Sequence, residues 1–181
     1  MRVIMIVEPV IAQCSPLFRG DRVFIAPNIP PRKLNGALST YGLGFGAKPA
    51  DVLLLVDDTL FGSAGDGFMV TRTHLLAHDI ATTPVGFELA SLRFFVFNRG
   101  LVKVDVVVNG VHFVTLSCVE KDERQGLERM LQMLVEAVVG AGAEAPAPAR
   151  QTSAGPWNCP NCGASATGDD LCCAYCGTLR I

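Results

Sequence analysis

The sequence has no surplus of positive charge: 15 Lys+Arg stand against 17 Asp+Glu, a formal net charge of −2. A protein that holds nucleic acid by its phosphates normally carries a basic excess, so nothing global points to DNA or RNA. The sequence also lacks a run long enough to cross a bilayer, which takes about 18 apolar residues in succession. The longest candidates, VIMIV at 3–7 and VLLLV at 52–56, stop far short, and Glu8-Pro9 interrupts the first before a signal-peptide core forms. These absences lead us to expect a cytoplasmic protein. Apolar residues are not scarce: they make up 50% of the chain, and the mean hydropathy is +0.37. A disordered chain lacks the buried surface that offsets ordering entropy, so most of this one should fold. Its 181 residues suit one core of ordinary size plus a small module.

The clearest boundary is the stretch 140–156, GAGAEAPAPARQTSAGP, built of small, polar and proline residues that cannot make a core. Its Ala-Pro alternation favours an extended, semi-stiff spacer. We therefore expect a main domain over 1–139, a linker over 140–156 and a separate unit over 157–181. Charge is uneven along the main domain. Residues 1–50 carry six cations and two anions, and residues 51–120 four cations and eight anions. Mutual neutralisation within one fold accounts for this, and so does a basic docking surface.

Within 1–139 the signal is mainly β. Val102, Val104, Val106 and Val108 alternate with Lys103, Asp105 and Val107, and Asn109-Gly110 then precedes another β-branched run. Asn-Gly between two such runs predicts a hairpin, because a type I′ turn needs positive φ at both central residues. Runs at 52–56, 67–71, 74–78, 85–89 and 92–97 are short, apolar and separated by turn residues, so strand follows strand. Two helices frame them. The first follows Pro30-Pro31, with Leu34, Leu38 and Tyr41 on one face and Gly42 at its end. The second spans about 122–139, where Leu127, Met130, Leu131, Leu134, Val135 and Val138 recur at helical spacing and give one buried face. It is too short for a coiled coil, so packing on its own sheet is expected.

This order, an α+β and mainly β unit of short antiparallel strands closed by one C-terminal amphipathic helix, resembles the pleckstrin-homology-like (PH-like) fold, an antiparallel barrel or sandwich. DDTLFGSAGDGFMVT at 57–71 is similar to an Asp-Asp-Thr, Phe-Gly, Asp-Gly, Thr segment of bacterial PH-like domain proteins. PRKLNGALSTYG at 31–42 looks like the short helix before their first strand. The resemblance covers roughly 25–139. It implies binding of a protein segment, a lipid headgroup or other copies of the chain, with no ligand residues carried over.

The most specific motif lies at 157–178. Cys159-x2-Cys162, ten residues, then Cys173-x2-Cys176 place four thiolates on two tight turns, with Gly163 and Gly177 directly after each pair. Four sulfurs in a tetrahedral set suit one Zn²⁺. The segment resembles a C-terminal zinc ribbon, a minimal one, since the gap is shorter than the usual 15–20 or so residues. Cys172 is an alternative to Cys173 as ligand. So few apolar residues mean that metal supplies the folding energy, and a closed four-cysteine site reads as structural. A rubredoxin-like iron centre would want a larger aromatic shell, and a thioredoxin-like pair needs a βαβ context. Only Arg180 is basic in 151–181, against Asp169 and Asp170, which disfavours a phosphate-binding ribbon.

Elsewhere the motifs are weaker. VLLLVDDT at 52–59 ends in Asp57-Asp58 as a Mg²⁺-binding strand would. However, GLGFGAK at 42–48 is no P-loop, and the consecutive strands exclude a receiver domain; turn carboxylates capping backbone amides are expected. His74 and His78 are four apart without the Glu of H-E-x-x-H, so half-exposed sheet histidines are expected, with His112 on another strand. Cys14 and Cys118 read as buried small apolar residues. No catalytic set and no small-molecule substrate emerge. The sequence thus reads as a non-enzymatic adaptor that binds a protein partner or itself. A nucleic-acid-binding regulator acting through the ribbon is the alternative. An enzyme ranks third and would need Asp57, Asp58, His74 and His78 to converge. An anionic membrane surface is a weaker partner class, resting on a local patch of Arg19, Arg22, Arg32 and Lys33.

Overall fold

The computed structural model describes residues 4–80, 82–143, 157–158 and 165–166. The chain divides into two units, Met1–Gly142 and Ala143–Ile181. The first is α+β and mainly β. Its helices are α1 (Ile4–Cys14), α2 (Pro31–Ala37) and α3 (Lys121–Ala143). Its strands are β1 (Val23–Ile25), β2 (Val52–Asp57), β3 (Gly67–Thr71), β4 (His74–His78), β5 (Val85–Glu88), β6 (Phe95–Arg99), β7 (Val104–Val108) and β8 (Val111–Leu116). They form two antiparallel sheets, one ordered β1-β2-β3-β4-β5 and the other β6-β7-β8.

The continuous apolar run of β2 follows from burial on both sides, which removes any need for alternation. On one face Leu54, Val56, Phe68, Val70 and Leu75 join a core with Val106, Phe113 and Leu116 of the second sheet and with Leu127, Met130, Leu131 and Leu134 of α3. On the other face Leu55, Met69 and Leu76 meet Ala37, Leu38 and Tyr41. Phe68 and Phe113 link the two sheets, their rings tilted by 58° with centroids 5.7 Å apart. The α3 stripe is the one read from periodicity, and each fully buried Leu on it contributes about 2 kcal/mol of apolar transfer.

The Asn109-Gly110 hairpin forms as expected, with φ of 51° and 84° and Val108 opposite Val111. Strands β3 and β4 match the expected 67–71 and 74–78. Four elements differ from expectation. Residues 92–94 precede β6, and Leu92 is buried in the core instead of extended in the ladder. Val102 lies outside β7, in a turn closed by the Gly100 N–H donating to the Lys103 carbonyl at 2.9 Å. Gly42 does not end the first helix: α2 runs into a π-helical turn, Leu38–Gly42, then a 3₁₀ turn, and the left-handed stop is Gly46 at φ 69°. α3 continues four residues past 139, to Ala143, into the segment expected to be linker.

Sequence periodicity also missed α1, because Glu8-Pro9 read as a break. Pro9 does sit inside the helix and removes one backbone bond, at a cost of about 3 kcal/mol. Val7, Ile11 and Cys14 are nonetheless buried in the main core, and burial of the two aliphatic side chains alone offsets that cost at about 1.5–3 kcal/mol each. β1 was missed because it is only three residues long.

In the second unit, β9 (Trp157–Asn158) pairs antiparallel with β10 (Ser165–Ala166), Ser165 opposite Asn158. Cys159, Cys162, Cys172, Cys173 and Cys176, and most of the expected linker, lie outside the described residues.

Candidate functional site

Consecutive strand residues point to opposite faces, and at the end of β2 this divides Asp57 from Asp58. Asp57 is fully buried on the α2 side. Its Oδ1 accepts the Thr59 N–H at 3.0 Å, the Ala64 N–H at 3.2 Å and the Thr59 hydroxyl, while its Oδ2 pairs with the Lys33 ammonium from α2. Lys33 also donates to the Gly62 carbonyl at 3.2 Å, and the Arg22 guanidinium to the Thr59 carbonyl. Burial by itself would raise the Asp57 carboxyl, but the Lys33 and Thr59 donors outweigh it and hold the group below the usual carboxylate range.

Asp58 turns the other way. Its carboxylate accepts the backbone N–H groups of Ser117 at 2.8 Å, Cys118 at 2.7 Å and Val119 at 3.1 Å, in the connection between β8 and α3. Burial pushes this carboxyl up despite the three amides, and the nearby Asp79 charge adds to the shift. One Asp-Asp dipeptide therefore fastens the 57–66 loop to both sides of its sheet. The expectation of turn carboxylates that cap amides is met.

What this fastening displays is apolar. Leu60 and Phe61 sit on the loop, and Phe61 is 96% exposed. Ile80, also exposed, stands beside them on the β4–β5 connection, where Asp79 accepts the Thr115 N–H at 3.1 Å. The three side chains border a cavity of about 420 Å³ that also takes in Asp66, Asp79 and Cys118. The result is an apolar platform with an acidic rim. Its signal was present in the sequence as two large apolar residues inside a Gly/Ser/Asp loop, but a resemblance of that segment to other loops does not say which side chains face water.

Asp57, Asp58, His74 and His78 do not converge. Register carries Asp57 to Gly67 and Gly67 to His78, so Asp57 and His78 lie two strands apart, and Asp58 points to the opposite face. His78 Nδ1 lies 2.9 Å from both the Gly65 carbonyl and an Asp66 carboxylate oxygen, and its ring stacks on Tyr41. His74 contacts the Thr73 hydroxyl at 2.8 Å, and His112 the Thr115 hydroxyl at 3.2 Å. Each is a sheet histidine with a local partner. Cys14 is buried as expected, whereas Cys118, in the β8–α3 connection, is only partly so; burial pushes up both thiols, and at Cys118 the Asp58 charge adds to the shift, so neither favours a thiolate. Of the four cations of the expected basic patch, Arg22 and Lys33 are engaged in holding the loop.

Among the described residues no group of three or more His, Cys, Asp or Glu is arranged to hold a metal ion, and no helix is long and apolar enough to cross a membrane. Comparison of the chain with family models, curated proteins and solved structures returned no match.

Proposed function

We propose that the chain is a non-enzymatic adaptor of PH-like build that captures a partner segment on the platform of Leu60, Phe61 and Ile80. The observation that carries this is Phe61: a fully displayed aromatic on a loop pinned by the buried, hydrogen-bonded carboxylate of Asp57. With the loop backbone held, little beyond the torsions of the phenyl side chain is left to fix on binding, and a large aromatic offers much apolar area for that cost. The rim of Asp66 and Asp79 favours a segment that combines apolar with basic residues and repels phosphates. Two antiparallel sheets with a C-terminal amphipathic helix packed on their shared core support the PH-like reading.

Residues 157–181 are proposed as a zinc ribbon in which Cys159, Cys162, Cys173 and Cys176 hold one structural Zn²⁺. The two-residue ladder of β9 and β10, which brackets the first Cys pair in sequence, supports this reading. Elemental analysis of protein purified without added metal should find one zinc per chain, and iron or a metal-free chain would overturn it. For the platform, selection from a random peptide library should enrich sequences pairing Lys or Arg with Leu, Phe or Val, and Phe61→Asp should abolish their binding. Enrichment of acidic peptides, or binding indifferent to Phe61→Asp, would refute the platform.

A further inference from the structure

The platform has a counterpart in the same molecule. The turn joining β6 to β7 carries Leu101, 107% exposed, with Val102 beside it, also exposed. Turn tips normally carry Gly, Asn or Asp, which suit the backbone and water; two aliphatic residues there serve neither. The turn is held in place, since the Gly100 N–H reaches the Lys103 carbonyl at 2.9 Å and the Arg124 guanidinium donates to the Val102 carbonyl at 3.2 Å. Its surroundings are basic. Lys103 belongs to the turn itself, and Arg99, Lys121 and Arg124 border the cavity of about 300 Å³ beside it, with Glu128, paired to Arg99, the one acid there.

We infer that the partner segment of the platform is the Leu101-Val102 turn of a second copy of this chain. This rests on the reading of Leu60, Phe61 and Ile80 as a binding surface, and charge complementarity selects the occupant. An apolar trio rimmed by Asp66 and Asp79 meets an apolar pair flanked by Lys103 and Arg99. The two surfaces differ, so the contact is heterologous: each copy offers one of each, and association continues head to tail until a ring closes or a filament grows.

The test uses the full chain in sedimentation and light-scattering series. The average mass should rise with protein concentration and return toward that of one chain near 1 M salt, where the Debye length falls to about 3 Å. Phe61→Asp and Leu101→Asp should each weaken association about tenfold or more and stay single-chain, with unchanged far-ultraviolet circular dichroism because both residues are exposed. Mixed in equal amounts, the two variants retain one intact platform and one intact turn between them, and should form a two-chain species that grows no further. A mixture that stays single-chain, or variants that associate like wild type, overturns the inference. A wild-type chain that stays single at every concentration while basic-apolar peptides still bind at Phe61 refutes the second copy alone; loss of peptide binding as well refutes the platform. Monomeric protein that binds phosphatidylserine vesicles through Leu101 would instead assign the turn to a membrane and overturn the inference.

Discussion

The 57–66 loop and the 99–104 turn both raise apolar side chains into water, yet they are supported in different ways. Nine residues separate β2 from β3, and keeping them ordered takes a buried carboxylate, an ammonium from α2 and three amides of the β8–α3 connection. The turn uses one backbone bond of its own hairpin and one guanidinium. A tight hairpin fixes its own geometry through the strands it joins, whereas a long loop has many conformations to exclude and needs long-range partners to do so. The loop should therefore be the more sensitive to loss of its polar supports, and the turn nearly indifferent to what stands at its tip.

The sharpest way to break that contrast is at Asp57. Asp57→Ala strips the acceptor from two amides and a hydroxyl and leaves Lys33 without its partner in a partly buried position, so unfolding free energy should fall by about 3 kcal/mol. Denaturant titration checks this, and a loss below about 1 kcal/mol would show that the loop holds without its carboxylate. Asp58→Ala should cost less, about 1–2 kcal/mol, because Ser117 is exposed and water can replace part of what the three amides lose.

Titration separates the two neighbours further. Asp57 lies below the usual carboxylate range, so its contribution to stability is complete above that range and is lost as pH falls through its depressed folded value. Asp58 is raised, so the folded state holds its proton more tightly than the unfolded chain does. Its ionisation therefore costs stability as pH rises from the usual value through the raised one. On acidification, carboxyl NMR should see Asp58 protonate before Asp57. The reverse order would mean that the Ser117, Cys118 and Val119 amides outweigh burial at Asp58.

Much of this framework was legible before the fold. Strands β3 and β4 and the Asn109-Gly110 hairpin follow from local chemistry, namely short apolar runs bounded by turn residues and a turn that demands positive φ, and the α3 stripe follows from helical period. What local chemistry hid was set by tertiary contact. The Glu8-Pro9 break is overridden by burial of Val7 and Ile11, and Leu92 leaves the ladder for the core. The site shows the same limit. Asp57-Asp58 read correctly as capping carboxylates, but their partners lie up to 61 residues away, and exposure of Phe61 and Leu101 is a property of packing that no pattern of spacing encodes.

The smallest expected effect discriminates between support and display. Phe61→Ser and Leu101→Ser each remove a side chain that contributes no buried surface to the described fold, so each should change unfolding free energy by less than about 0.5 kcal/mol. An apolar residue selected for folding would cost several times that on truncation, because lost transfer energy and a cavity would add. Near-neutral stability together with lost peptide binding in Phe61→Ser and lost self-association in both would locate their contribution outside the folded monomer. A clear destabilisation of Leu101→Ser with unaltered association would instead make Leu101 part of the hairpin's own support, and the contrast between a buttressed loop and a self-sufficient turn would fail at its simpler end.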